Sequence, residues 1–337
     1  MKNLTVNTCA LMLAGLLAYT AGPVIAQSGT PSDLLMPSCD QPSAGNLSYD
    51  QLIDKYGEPT SRFVVLEGIN GIRLHYTDEG SGPAVVLVHS SFGDLRDWDH
   101  WVEVLSKNYR VIRLELPAFG LTGPVPSGNY SVDRYLTLVD ALMDHLNISR
   151  FAIVGASYGG LIAARYSSTR IDRVSALILA NSAGIEYGGR RGTKELPIDP
   201  NARFKPALRT NEITRTILNT VINDPSKVTD EIVQRKTDYA NMQGRDCESF
   251  IASGFYERGN PQRILGHVRA PALVMWGGNS KALSPETAQA FIDGLKNAAS
   301  TKKIIYDGGG HLIHIERPEQ TVRDAKTFLD QQLGSNP

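Results

Sequence analysis

The sequence predicts an α/β domain with a mostly parallel central sheet, flanking helices and an inserted helical segment. Three observations predict it. Short, continuous apolar runs (Ala84 to Val88, Phe151 to Val154, Val174 to Leu179) suit strands covered on both faces. Segments with apolar residues at helical spacing alternate with them, as crossover helices between parallel strands would. The alternation stops between Ala183 and about Leu265, where helical patterns follow one another with no clear strand, and then returns.

Taken in order, Ser48 to Tyr56 reads as a short helix. Arg62 to Leu66 and Ile72 to Thr77 read as a hairpin pair joined through Gly68 to Gly71. After the turn Glu79-Gly80-Ser81-Gly82-Pro83 comes the strand Ala84 to Val88. Trp98, Trp101, Val102 and Leu105 share one helical face, and Arg110 to Leu114 is the next strand. Ser131 suits the N-cap of a helix whose apolar positions run from Val132 to Leu146. In the insertion Ile213 to Ile222, Val228 to Tyr239 and Ser249 to Tyr256 look helical. Strand Ala272 to Trp276, a helix from Pro285 to Leu295, strand Lys303 to Tyr306 and a helix opening at Pro318 complete the pattern.

The chain has 337 residues and a net charge of −1, with both signs scattered along it. No basic field points to nucleic acid and no polybasic run points to an anionic membrane. Residues 1–26 stand apart: Lys2 gives a positive start, Cys9 to Tyr19 is apolar, and Val24-Ile25-Ala26 offers small residues for cleavage. The expectation is an exported protein, periplasmic or secreted, without an integral membrane span. Residues 27–61 form an N-terminal extension. Signal removal leaves Cys39 and Cys247, which in an oxidising compartment can pair and pin that extension, or stay as two free thiols.

The chemistry centres on Gly155-Ala156-Ser157-Tyr158-Gly159, where the strand Phe151 to Val154 breaks into a turn and a helix follows. A serine on so sharp a turn projects its hydroxyl beyond the sheet, and glycines on either side leave room for the crossing. Ser157 is therefore the candidate nucleophile. A serine needs a base to take its proton, and His311, in Gly308-Gly309-Gly310-His311 after the last strand, sits where that base belongs. Acyl transfer also needs oxyanion donors. The backbone amides of Tyr158 and of Ser91, in the loop after the strand that ends at His89, are the candidates. His311, His314 and Glu316 make a poor metal set, and neither a metal nor a cofactor is implied.

With these motifs in place, the chain resembles an α/β-hydrolase carrying a helical cap. The resemblance runs from about Arg62 to Leu333. It rests on the Gly-Ser-Gly-Pro turn before Ala84, the His-led loop, the Ser157 elbow, Trp276-Gly277, and Gly310-His311 followed by Glu316 and Pro318. It implies a core of residues 62–182 and 266–337, a cap of residues 183–265, and a small-molecule substrate.

The match departs from the family at three places. His89-Ser90 stands where His-Gly is usual, and Glu115-Leu116-Pro117-Ala118-Phe119-Gly120 stands for Asp-x-Pro-Gly-x-Gly. The acid that orients the histidine is missing: Ser280, preceded by Asn279, occupies one family position and Asn181 the other. Three accounts stay open. Ser280, Asn279 or Asn181 accepts the histidine N–H, a cap carboxylate such as Glu186 reaches in, or the chain binds ligands and is catalytically weak. The expected activity is cleavage of a carboxylic ester of a small organic substrate, with lactone, amide and C–C bond hydrolysis as alternatives on the same site.

Overall fold

The computed structural model describes Cys39 and residues 41–66, 71–185, 203–253 and 260–334. The expected export signal and Glu186 lie outside the described residues.

The strands are β1 (Arg62–Val65), β2 (Arg73–Glu79), β3 (Ala84–Val88), β4 (Arg110–Leu114), β5 (Phe151–Ala156), β6 (Val174–Ala180), β7 (Ala272–Gly277) and β8 (Thr301–Tyr306). They form one sheet in the order β1-β2-β4-β3-β5-β6-β7-β8. The β1–β2 and β2–β4 pairs are antiparallel, and every pair from β4 to β8 is parallel. Helices α1 (Tyr49–Tyr56), α2 (Asp99–Leu105), α3 (Val132–His145) and α4 (Tyr158–Thr169) precede the insertion. The insertion carries α5 (Asn211–Val221), α6 (Asp230–Ala240), α7 (Arg245–Ser253) and α8 (Pro261–Leu265). After it come α9 (Thr287–Gly294), α10 (Ile313–Glu316) and α11 (Pro318–Leu333).

The unbroken apolar strands follow from a core on each face of the sheet. In β3, Ala84, Val86 and Val88 join the layer under α3, α4 and α9, whereas Val85 and Leu87 join the layer under α2 and α11. Each valine or leucine among them, fully buried, contributes about 1.5–3 kcal/mol, so a polar residue is disfavoured on either face. Helix starts are equally local: Ser131 caps α3 by accepting the Arg134 amide, and Ser48 forms a capping box with Gln51 at α1.

Strand order, not chain direction, reverses between the parallel neighbours β3 and β5: the chain leaves β3 outward to β4 on one side and leaves β5 outward to β6 on the other. This is a topological switch point, where α/β sheets open a crevice at their carboxyl edge. The loops after β3, β5, β7 and β8 all emerge at that edge.

The N-terminal extension is laced to the insertion. Cys39 and Cys247 are joined as a disulfide with Cα atoms 5.9 Å apart. Nearby, the Asp246 carboxylate accepts from Ser43 Oγ at 2.5 Å and the Ala44 amide at 2.9 Å. Leu47 bridges to Met242.

Reducing the disulfide, or replacing Cys39 by Ser, is predicted to lower unfolding stability by about 2–4 kcal/mol, read as a shift in the denaturant midpoint. At the β5–α4 crossing, a Cβ on Gly159 would lie 2.3 Å from the Val88 carbonyl oxygen and 2.4 Å from that of His89. Gly159→Ala is therefore predicted to cost about 3 kcal/mol or more, measured by the same unfolding curve.

Candidate active site

Ser157 sits between β5 and α4 with φ 50° and ψ −115°, on the positive-φ side that L-residues avoid. Strain of this kind costs about 1–3 kcal/mol. It is held by backbone bonds on both sides of the sheet edge: the Ser157 amide donates to the Ala180 carbonyl at 3.0 Å, and its carbonyl accepts from Ala183 at 2.9 Å and Leu161 at 3.2 Å. Its side chain does not cap α4. The hydroxyl instead lies 2.9 Å from His311 Nε2.

His311 is buried in the turn after β8. Asn279 fixes this turn from below by donating its amide to the Gly309 carbonyl at 2.9 Å. The insertion fixes it from above, because the His311 and Leu312 amides both donate to the Val221 carbonyl at the end of α5, at 2.9 and 3.2 Å. Glu316 accepts the Gly310 amide at 3.2 Å.

The other face of the ring meets Ser280, with Nδ1 3.4 Å from Ser280 Oγ. If Nε2 is to accept the Ser157 proton, Nδ1 carries the ring hydrogen and donates it to Ser280. The remaining candidates for this place do not reach it. Asn181 (φ 42°) turns its Oδ1 to the Gly277 amide at 3.0 Å, and Asn279 engages through its backbone. Of the three residues named from sequence, the structure brings Ser280 to the histidine and leaves Asn181 and Asn279 in the strand-end turns.

Burial alone pulls His311 down from its ordinary value of 6.5 to about 4. Desolvation penalises the imidazolium, and no carboxylate among the described residues contributes. The ring is thus neutral at neutral pH, the form a base requires.

Tyr158 is the first residue of α4, so its amide lies at the helix N-terminus. Ser91 lies in a turn closed by the Gly93 amide on the Ser90 carbonyl at 2.9 Å. A cleft of about 650 Å³, open to solvent, is lined by both Ser91 and Tyr158 together with Phe92, Phe119 and Tyr135. A second cleft of about 580 Å³ runs on beneath the insertion, between Phe92, Phe119, Leu218 and Tyr239. The two share Phe92, Ala118, Phe119 and Ser249.

Both loop departures from the family have structural partners. Buried His89 donates Nδ1–H to the Ser90 carbonyl at 2.7 Å and accepts the Leu116 amide on Nε2 at 3.0 Å, tying the loops after β3 and β4 together. Glu115 is buried, and its carboxylate meets His75 Nδ1 at 2.7 Å, the Leu121 amide at 2.5 Å and the Leu95 amide at 3.2 Å. Burial pushes that carboxyl up, but His75 outweighs it and holds the group below its usual range. Glu115 thereby shapes the 116–121 turn that walls the clefts.

His314 stacks on Trp98 with ring centres 4.3 Å apart, a packing role. Sequence reasoning missed Glu115 as a shaping group and the buried charges Asp94, Asp97, Arg235 and Lys236. The signal available for these was charge in otherwise apolar surroundings, which does not name partners.

Residues 83–318 match the family described as the alpha/beta hydrolase fold, and the chain belongs to that family. The 2-hydroxy-6-oxononadienedioate/2-hydroxy-6-oxononatrienedioate hydrolase of Paraburkholderia phymatum is 27% identical over 286 residues, covering 81% of this chain and 96% of that protein. The meta-cleavage product hydrolase of Pseudomonas fluorescens IP01 superposes with a TM-score of 0.67 at 22% identity, covering 80% of this chain and 97% of that one. A thermophilic esterase from Thermogutta terrifontis gives 0.65 at 20% identity, covering 81% and 99%. At these identities the two solved structures speak for the fold.

The depressed His311 value has a definite sign. Between about 4 and 6.5 the unfolded chain binds the proton that folded His311 refuses. Its contribution to stability is therefore full above 6.5 and is lost as pH falls toward 4. The acid limb of kcat/KM is predicted to lie well below 6.5, whereas a carboxylate beside Nδ1 would move it to 6.5 or above. A pH–rate profile with a neutral aryl ester reads the difference.

Proposed function

We propose that this chain is an exported serine hydrolase that cleaves a carboxylic ester of a small organic substrate through an acyl-enzyme on Ser157. The observation that carries the reading is the 2.9 Å contact between Ser157 Oγ and neutral His311 Nε2 at a strained elbow. In the first step His311 takes the Ser157 proton as Oγ attacks the ester carbonyl. The carbonyl oxygen becomes an oxyanion, held by the amides of Ser91 and Tyr158. His311 then gives its proton to the alcohol as the ester C–O bond breaks; the same ring next takes a proton from the water that attacks the acyl carbonyl and returns it to Ser157 Oγ as the acyl–Oγ bond breaks and the acid leaves. Throughout, Ser280 accepts Nδ1–H and keeps the ring's orientation.

The neutral partner bears on which bond is cleaved. A carboxylate stabilises the imidazolium that forms as the serine loses its proton, and a hydroxyl does so far less. An ester with a good leaving group asks least of such a base, while an amide or a C–C bond asks more. The aromatic walls, Phe92, Phe119, Tyr135 and Tyr158, favour an aryl or bulky acyl group. The Paraburkholderia relative, whose name specifies a dienedioate, supports C–C cleavage as the alternative bond. A chain that binds without turnover is the reading from another class, favoured only by the missing acid. Export rests on the pattern of residues 1–26 and is compatible with the Cys39–Cys247 bond.

A fluorophosphonate is predicted to label the wild-type protein and not Ser157→Ala, with kcat/KM on an aryl ester falling about 10⁴-fold or more in the variant. Absence of labelling in the wild type would remove the hydrolase reading. Ser280→Asp restores a carboxylate beside Nδ1. It is predicted to raise the acid limb to 6.5 or above and kcat by about tenfold or more, read from the same pH–rate profile.

A further inference from the structure

A cluster of buried opposite charges joins the loop after β3 to helix α6 of the insertion. Asp94 and Asp97 face Arg235 and Lys236, and the four side chains are at most 6% exposed. The charges balance, two against two. Lys236 Nζ donates to the Asp97 carboxylate at 2.8 Å, the Asp94 carboxylate at 3.0 Å and the Phe92 carbonyl at 3.1 Å. An ammonium has three protons, so Lys236 has none to spare for a ligand. Arg235 Nε donates to Asp94 at 3.2 Å.

The third acceptor is the informative one. Phe92 has φ 60°, a conformation that turns usually give to glycine, and its side chain is 51% exposed, so core packing does not impose it. The turn Ser90–Gly93 closes through the Gly93 amide and the Ser90 carbonyl. Ser91 lies between them, and among the described residues its amide donates to no acceptor. If Phe92 relaxed to negative φ, the Ser91–Phe92 peptide would reorient and the turn would open. A grip on the Phe92 carbonyl opposes that.

Resting on the hydrolase reading above, we infer that Lys236 is a positioning residue for the oxyanion loop. From the insertion it holds the strained Phe92 turn that aims the Ser91 amide at the scissile carbonyl. Lys236 and Tyr239 of α6 also line the cleft beneath the insertion. The helix that shapes the substrate's seat is thus the helix that sets the oxyanion donor.

The test keeps the charges balanced by pairing Lys236→Met with Asp97→Asn. Three readouts are taken: steady-state kinetics on an aryl ester, inhibition by an aryl trifluoromethyl ketone that forms a tetrahedral adduct, and hydrogen exchange at the Gly93 amide. One well-aimed oxyanion donor is worth about 10²–10³ in rate, so partial misalignment should lower kcat by about 10–100-fold with KM unchanged. Ketone affinity should fall by the same factor, and Gly93 exchange should accelerate. Adding Phe92→Gly, which makes the turn free of strain, should restore much of kcat. If the paired variant does not fold, Lys236→Arg carries the test, since a planar fork cannot serve three acceptors arranged around an ammonium. A rise in KM with kcat unchanged, unchanged kinetics, or no restoration by Phe92→Gly in a folded variant overturns the inference. Gly93 exchange does not depend on turnover: an inactive wild type refutes the ester reading, and unaltered exchange refutes the grip.

Discussion

The site depends on one hydrogen bond, from Ser157 Oγ to His311 Nε2, made between residues 154 positions apart. Each partner is set by a different strand end, and neither could reach the other without the parallel order that puts β5 and β8 on one edge. The elbow stores strain in Ser157, and the surrounding backbone bonds over-determine it. The histidine turn is gripped by β7's loop on one side and by α5 on the other. Dry surroundings keep the imidazole neutral, which readies it to take a proton and makes the charged state that follows costly.

That cost is where this chain differs from its family. With Ser280 at the position of the usual acid, nothing among the described residues supplies a charge to offset the imidazolium. In the proposed mechanism the amides of Ser91 and Tyr158 then carry a larger share of transition-state stabilisation. Around them the structure invests heavily: a buried charge cluster on one side of the Ser90–Gly93 turn, and His89 and Glu115 bonding on the other. The neutral partner of His311 is the ground on which the proposed function favours reactive esters over amides.

Much of this was legible in the sequence. The strand Ala84 to Val88 falls where its apolar run does, because burial on both faces leaves no polar position there, whereas Arg110 to Leu114 carries a buried Arg113 that is ion-paired with Glu79 and Asp99. The elbow, the insertion and the turn at His311 were legible because glycine, spacing and chain order mark them. Side-chain direction at a strand end was not. Asn181 and Asn279 flank the same edge as Ser280, yet a positive φ turns Asn181 toward the Gly277 amide. The loop-to-α6 cluster was illegible for another reason: Asp94 and Lys236 are 142 residues apart, and a charged side chain carries no mark of its partner. Likewise Glu115 looked like a departure from a motif, and only its contacts with His75, Leu95 and Leu121 show it bracing a turn.

The most direct measurement of the central claim is rapid-quench mass spectrometry during turnover of an aryl ester, with the adduct mapped by proteolysis. The account predicts an acyl group on the peptide bearing Ser157 that forms within the first turnover and decays at the steady-state rate. Turnover with no acylated intermediate, or acylation at another residue, would contradict it.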